Sequence, residues 1–275
     1  MSISAERIVL EPGSADRHYW RDLWAYREVL WILTWRDVKV RYKQTVIGIA
    51  WAVLRPLLTM LILTVVFGRL GRFPSEGHAP YAVMVFAGML PWFLFSSALS
   101  EASGSIVGNA TMVGKVYFPR LLIPLAAIGG TLLDFVVSAA LLVPLMAWYR
   151  YAPGWQVALL PVFVLLGIAA SVGPGLWLTA LNVKYRDFRY VIPFLLQIGL
   201  YVSPVGFTSA VVPGDWRLVY SLNPIVGVID GFRWCLVGAE PYWPGFAVSS
   251  AVIALFLWLG LARFRATERS FADML

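Results

Sequence analysis

Charged residues are scarce in this sequence, which excludes an ordinary soluble domain. Asp, Glu, Lys and Arg make up 13% of the 275 residues, hydrophobic residues make up 60%, and the mean hydropathy is +0.74. A soluble domain of this size carries about twice that share of charge. The composition therefore predicts an integral membrane protein.

Cysteine and histidine are also nearly absent, which removes several kinds of site. The single cysteine, Cys235, excludes an intramolecular disulfide and a Cys-based metal cage. The two histidines, His18 and His78, fall in segments predicted to lie on opposite sides of the membrane, so neither completes a Ser-His-Asp arrangement. Paired carboxylates are missing too, and we predict that the chain is not an enzyme.

The N-terminus lacks the apolar core of a cleavable signal peptide. Its first twenty residues hold charged side chains instead, among them Glu6, Arg7 and Asp16. We therefore expect the N-terminus to stay in the cytoplasm.

Six apolar runs are long enough to cross a hydrocarbon core, which takes roughly 20 helical residues. They lie at about Gly48–Gly68, Pro80–Ser100, Leu121–Trp148, Gln156–Leu181, Val191–Val212 and Trp243–Leu261. The sequence thus predicts an all-α integral membrane protein with six transmembrane helices. It divides into a cytoplasmic N-terminal segment over 1–45, a single transmembrane domain over 46–262 and a cytoplasmic tail over 263–275.

Lys and Arg are unevenly shared between the two sides of these spans. Eight precede Val46, two lie between the second and third spans, three between the fourth and fifth, and three after the sixth. Five lie in the loops on the other side, and Arg55 lies within the first span. By the positive-inside rule this bias places both termini in the cytoplasm. The net charge of +7 is thus a topology signal, and no nucleic-acid partner is expected.

An amphipathic helix is predicted just before the first span. Trp24, Trp31 and Trp35 recur at helical spacing, while Arg and Lys residues occupy the other faces. Such a helix lies along the inner leaflet, with its basic face attracted to anionic membrane lipid. The pattern leaves open whether it is a simple anchor or has a role in gating or docking.

The segment between the second and third spans, residues 109–120, is too polar to stay in lipid. It can form a short helix from about Asn109, which Pro119 would end. The stretch GNATMVGK, residues 108–115, only superficially resembles a phosphate-binding loop. Five residues rather than four separate Gly108 from Gly114, and Val116 replaces the metal-binding Ser or Thr. We therefore expect no bound nucleotide and no ATP hydrolysis in this chain.

Apolar, aromatic and charged side chains alternate in this segment, which we name the coupling segment. That mixture suits either a short helix docked in a groove of another protein or an ordinary interfacial loop. Its candidate contact residues are Asn109, Met112, Lys115, Tyr117, Phe118 and Arg120.

The segment at about 213–240, named here the gate segment, is apolar but interrupted. Asn223, Pro224, Asp230 and Arg233 argue against a full crossing, so the sequence predicts a broken or re-entrant segment before the last span. Asp230 and Arg233 are three residues apart, share a helix face and could pair.

Two ionisable residues lie deep in complete spans. Asp134 is interpreted either as a carboxylate satisfied by a neighbouring helix or as part of a proton relay. Arg55 lies roughly 10 Å along the first span at 1.5 Å per residue. It either snorkels to the inner headgroups or binds the diphosphate of a lipid-linked substrate.

Aromatic residues are abundant, with 13 Trp, 12 Tyr and 16 Phe. Their ring faces stack on sugars, although Trp and Tyr also collect at membrane interfaces. With Arg55, the candidates for a substrate path are Trp51, Trp92, Phe93, Phe95, Trp177 and Tyr201.

Four blocks of sequence resemble a known family. WRDVKVRYKQTVIGIAWAVLRPLLTM, GKVYFPRLLIPLA, NVKYRDFRYVIPFLLQIGLYVSPV and LNPIVGVIDGFRW together resemble the membrane subunit of the ATP-binding-cassette exporters of polysaccharides and polyol phosphates. That family includes the permeases of O-antigen and teichoic-acid export. The likeness runs from about Arg27 to the C-terminus, and Arg55 departs from it, since an uncharged polar residue is more usual there.

The resemblance implies a homodimer bound to two copies of a cytoplasmic ATPase in a bacterial inner membrane. It implies export of a polyprenyl-diphosphate-linked glycan, with ATP and magnesium bound by the partner subunit. The coupling segment resembles the helix that sits in the ATPase groove, the basic helix before the first span resembles the family's interfacial helix, and LNPIVGVIDGFRW resembles the outer gate. Two alternatives stay open, a polyprenyl-phosphate-dependent glycosyltransferase and an ion-coupled lipid-glycan flippase.

Overall fold

A computed structural model of the chain describes residues 19–43, 49–76, 79–116 and 118–274. Within those ranges it contains helices and turns but no strand. In chain order the helices are α1 Tyr19–Ala25, α2 Arg27–Lys43, α3 Ile49–Leu63, α4 Tyr81–Gly108, α5 Ala110–Lys115, α6 Leu122–Ala140, α7 Leu142–Trp148, α8 Leu160–Lys184, α9 Phe188–Val202, α10 Gly214–Tyr220, α11 Pro224–Val237, α12 Trp243–Glu268 and α13 Phe271–Met274. A π-helical turn, Thr64–Leu70, extends α3, and 3-10 turns lie at Trp155–Leu159 and Ser209–Val211.

Five helical stretches among the described residues are long and apolar enough to cross a membrane. They are Ala50–Leu70, Tyr81–Gly108, Leu122–Trp148, Trp155–Lys184 and Trp243–Glu268. The predicted all-α membrane architecture is therefore confirmed.

The fifth predicted span, Val191–Val212, is helical only over α9. That helix has 15 residues, and the chain turns at Ser203, whose backbone is extended. Fifteen residues rise about 22 Å, less than the roughly 30 Å of a hydrocarbon core. The count of six crossings stays a prediction.

The bundle has two distinct ends. At the first, named here the basic end, α4, α8 and α12 finish and α6 begins, and it carries α5 together with Lys184 and Arg269. The opposite end carries the loop 71–76, the turn 203–211 and α10.

Helix α4 forms the centre of the bundle and packs against α6, α8 and α11. Its first half is buried on every side, as expected for a helix that is apolar all round. One apolar cluster fills the opposite end around Phe86 and Phe232, and a second fills the basic end around Ile106 and Phe264.

Helices α8 and α12 cross where two glycines meet. A Cβ on Gly260 would come within 2.8 Å of the carbonyl carbon of Gly173, and a Cβ on Gly173 would come within 2.5 Å of the carbonyl carbon of Phe256. Small residues let membrane helices approach this closely, so the contact fixes how the two helices cross.

The predicted helix before the first span is divided into two helices, α1 with Trp24 and α2 with Trp31 and Trp35. Helix α2 packs along α6, where Thr34 lies beside Gly129. Trp24, Trp31 and Trp35 are exposed, on surfaces that the rest of the chain does not cover. Its placement along the inner leaflet stays a prediction.

Candidate functional site

The coupling segment forms a shorter helix than the sequence suggests. Helix α5 ends at Lys115, and the backbone of Val116 is extended. Val116 is β-branched, which favours extended backbone, whereas Pro119 restricts only Phe118, the residue before it. The helix therefore stops four residues before the proline rather than at it.

Phe118 is buried in the single chain, and its predicted contact with a partner stays a prediction. Its side chain is 7% exposed and packs in the apolar cluster of the basic end, with Ile106 and Phe264. Tyr117 lies outside the described residues.

Among its described residues, the coupling segment is exposed at Thr111 and at residues 114–116. Lys115 is exposed, Val116 is 57% exposed, and a Cβ added to Gly114 would meet no atom within 4 Å. Val113, on the other face, is buried. A partner can therefore reach the segment at residues 114–116.

The two ends of the coupling segment are bonded to other parts of the chain. At the start, Arg36 of α2 donates to the Asn109 side-chain oxygen at 2.8 Å, and its other terminal nitrogen lies 3.9 Å from the sulfur of Met112. At the end, the backbone N–H of Arg120 donates to Glu268 of α12 at 2.8 Å. The segment is thus held between the N-terminal and C-terminal helices.

A second polar cluster joins α2 to α4 and α6. Arg41 contacts Asp134 at 2.5 Å and Glu101 at 2.6 Å, and the Tyr42 hydroxyl donates to Asp134. Burial and the bond to Asp134 raise the pKa of Tyr42 to about 12. Asp134 is therefore a carboxylate satisfied by a neighbouring helix, the first of the two interpretations of this residue.

The gate segment consists of two short helices, α10 and α11. The Asn223 side chain caps α11 by accepting from the N–H of Ile225, Pro224 occupies its first turn, and Gly238 ends it at a φ of 69°. Helix α11 is almost completely buried against α4, α8 and α12. Asn223 and Pro224 thus break the segment as expected, while its position in a membrane stays a prediction.

Arg233 is the only charged residue among the fully buried large side chains of the described ranges, with 0% exposure. It donates to the carbonyl oxygens of Phe207 at 2.8 Å and Val205 at 3.0 Å, and lies 3.8 Å from a Glu76 oxygen. Glu76 in turn accepts from the Thr208 hydroxyl. Arg233 therefore fastens α11 to the turn that follows α9.

The direct Asp230–Arg233 pair suggested by the sequence is wrong. Within the part of the chain that the structure describes, no ion pair joins the two side chains. Asp230 instead accepts from the Ser209 hydroxyl at 2.8 Å. The two residues do share a helix, but each is bonded to a different part of the 203–211 turn.

The candidate path residues are divided between surface and core. Trp51 and Tyr201 are exposed, and Arg55 lies over the ring of Phe93 at 5.5 Å. Trp92 is 4% exposed and packs against Gly199, so in this arrangement it does not line a surface.

Two further candidates are paired with neighbours. The ring centroids of Phe95 and Trp92 are 5.7 Å apart, and those of Trp177 and Phe256 of α12 are 6.3 Å apart. Helices α3 and α9 both pack on α4. The candidate path residues that the fold brings together are therefore those on these three helices.

A family model matches most of this chain. The model, described as ABC-2 type transporter, matches residues 28–237. The chain belongs to the ABC-2 type transporter family. The matched residues run from α2 to the end of α11, so they include both the coupling segment and most of the gate segment.

Curated relatives of this ABC-2 family chain match it over nearly their whole length. The O-antigen export system permease protein RfbA of Myxococcus xanthus is 28% identical over 260 residues, which is 92% of this chain and 97% of the relative. RfbA of Klebsiella pneumoniae is 24% identical over 252 residues, or 90% and 95% of the two chains. The polysialic acid transport protein KpsM of Escherichia coli is 26% identical over 246 residues, or 86% and 92%.

Sequence reasoning missed several polar residues of this ABC-2 family chain. Arg36, Arg41, Glu76 and Glu268 all make contacts across more than seventy positions in sequence. Their only signal is that charged residues are rare here and each one near a span needs a partner. That signal flags the residues without identifying what they contact.

Proposed function

We propose that this chain is the permease subunit of an ATP-driven exporter that moves a lipid-linked polysaccharide, similar to O-antigen or teichoic acid, across a bacterial inner membrane. The observation that carries the proposal is the family match over 28–237, together with relatives named as O-antigen export permease and polysialic acid transport protein. On this proposal the chain is not an enzyme. ATP and magnesium are bound by a separate cytoplasmic ATPase.

The coupling segment is the proposed docking site for that ATPase. Residues 114–116 face outward, while Val113 and Phe118 anchor the segment to the core. A docked helix of this kind transmits a displacement only if the face opposite the partner is fixed to the rest of the chain. The basic end then faces the cytoplasm, with both termini, as the distribution of Lys and Arg predicts.

The active unit is a homodimer with two ATPase copies, and the polyprenyl-diphosphate-linked glycan passes between the two permease chains. Helices α3 and α9 leave most of their large apolar side chains exposed in the single chain, among them Leu58, Phe194 and Tyr201. That surface needs either lipid or a second copy to cover it. The gate segment closes the opposite end of the path.

The isolated chain is expected to hydrolyse no ATP, because it lacks a phosphate-binding loop. Hydrolysis should appear only when the purified chain is combined with its partner ATPase, and glycan should then cross the membrane of proteoliposomes. Phosphate release by the chain alone above a mock preparation would contradict this, as would export that continues without the ATPase.

Charge reversal by Lys115→Glu is expected to lower the affinity for the ATPase at least about tenfold, because it inverts the charge of an exposed residue at the proposed docking site. Copurification from membranes measures the effect. The matched control is Lys184→Glu, an equal charge change at an exposed residue of the same end but outside the segment. Docking elsewhere would be indicated if Lys184→Glu had the larger effect.

A further inference from the structure

Glu268, the last residue of α12, joins three separated parts of the chain. One carboxylate oxygen accepts from the backbone N–H of Arg120 at 2.8 Å, and the other accepts from the Tyr19 hydroxyl at 3.0 Å. The Arg120 guanidinium also donates to the backbone carbonyl of Glu268. The end of the coupling segment is therefore bonded to α12 through both backbone and side chain.

The position of Glu268 is unfavourable for a helix taken by itself. The C-terminus of a helix carries partial negative charge and favours Lys, Arg or His. A glutamate there weakens the helix end unless its oxygens are used elsewhere. In this chain both carboxylate oxygens of Glu268 accept hydrogen bonds from other parts of the chain. Glu268 therefore serves tertiary contacts rather than the stability of its own helix.

An apolar contact lies beside these polar ones. The rings of Phe264 and Phe271 meet at 5.3 Å, both are buried, and they share a cluster with Val113 and Phe118 of the coupling segment. The coupling segment and the end of α12 therefore share one apolar cluster.

The other half of α12 is bonded to the gate segment through one residue. The Ser249 hydroxyl donates to the Ser221 carbonyl at 2.8 Å and accepts from the N–H of Gly227 at 3.2 Å. From Ser249 to Glu268 the helix rises about 28 Å at 1.5 Å per residue. A single helix thus holds the coupling segment near one end and both helices of the gate segment near the other.

We propose that Glu268 is a positioning residue that clamps the coupling segment to α12, so that α12 carries a displacement of that segment to the gate segment. This inference rests on the proposed function, in which the ATPase docks at residues 114–116. With the clamp intact, movement of the docked segment moves α12 as a rod. Without it, the ATPase still binds and hydrolyses ATP, but the gate segment does not respond.

The test uses the chain with its ATPase in lipid nanodiscs, in a Cys235→Ala background that carries Leu222→Cys. Leu222 lies between α10 and α11 and is 56% exposed, so its thiol reports on the gate segment. The rate of labelling by a maleimide is compared with and without trapped nucleotide. Glu268→Ala is expected to reduce the nucleotide-dependent change about tenfold, the order expected when a partly buried donor loses its acceptor.

Two variants separate positioning from a general loss of structure. Glu268→Gln keeps the size of the side chain and one acceptor oxygen, so it should keep the bound ATPase and its hydrolysis while losing part of the labelling change. Thr267→Ala is the matched control, because the Thr267 hydroxyl bonds only within α12, and it should respond as the unmodified chain does.

An undiminished labelling change in both Glu268 variants would overturn the clamp and leave the proposed function intact. An equal loss in Thr267→Ala would overturn it too. If the unmodified chain bound no ATPase and showed no nucleotide-dependent labelling, the proposed function would fail and the clamp with it.

Discussion

Replacing Arg233 with methionine is expected to destabilise the fold by about 3–5 kcal/mol, as breaking a buried charged interaction does. Methionine fills a similar volume but donates no hydrogen bond. The carbonyls of Val205 and Phe207 would lose their donor, and Glu76 would lose its neighbouring positive charge. The melting temperature of the detergent-purified chain, followed by tryptophan fluorescence, measures the effect.

Arg69→Met is the matched control for this substitution, because Arg69 lies at the same end of the bundle but is exposed. It should leave the melting temperature close to that of the unmodified chain. If Arg233→Met melted at the same temperature as this control, the 203–211 turn would be held by other contacts.

Gly260→Ala is expected to be the second most damaging change. Its Cβ would press on the backbone of Gly173, and backbone cannot turn aside as a flexible side chain can. Overpacking of this kind typically costs about 1–3 kcal/mol, and here it would also change the angle at which α8 and α12 cross. A lowered melting temperature, with loss of the monodisperse peak in gel filtration, would show it.

Gly104→Ala provides the opposite case. A Cβ at Gly104 would meet no atom within 4 Å, and the residue lies inside α4. Alanine there should stabilise the helix by about 0.5–1 kcal/mol. Equal melting temperatures for the two alanine variants would show that the α8–α12 crossing tolerates a methyl group.

Hydropathy predicted where most of the helices lie, because a crossing needs a long apolar run and little else. It was less informative for Val191–Val212, in which the apolar run continues through Ser203 and Gly206 although α9 stops at Val202. Apolar composition does not distinguish a helix from an apolar turn whose carbonyls are bonded by a distant arginine. The partner that makes this turn possible, Arg233, is 28 residues from Val205.

Side-chain direction was the other limit of prediction. The sequence indicated a short helix near Asn109 and offered Phe118 as a contact residue for a partner. It could not show that Phe118 is buried, because that burial depends on Ile106 and on Phe264 at the far end of the chain. Likewise, spacing put Asp230 and Arg233 on one helix face, and the long arginine side chain then bonded elsewhere. A local sequence pattern specifies which residues share a helix face, whereas the bonding partners of those residues depend on the tertiary fold.

If α9 crosses the membrane as the sequence predicts, its short length makes this protein sensitive to the thickness of the bilayer. With a length of about 22 Å, α9 is roughly 8 Å shorter than an average hydrocarbon core. On that predicted crossing, lipid beside α9 would thin to match it, and each ångström of such mismatch costs a fraction of a kcal/mol. Longer acyl chains raise that cost and shorter ones lower it, so the host membrane helps to set how readily this face is left to lipid or covered by protein.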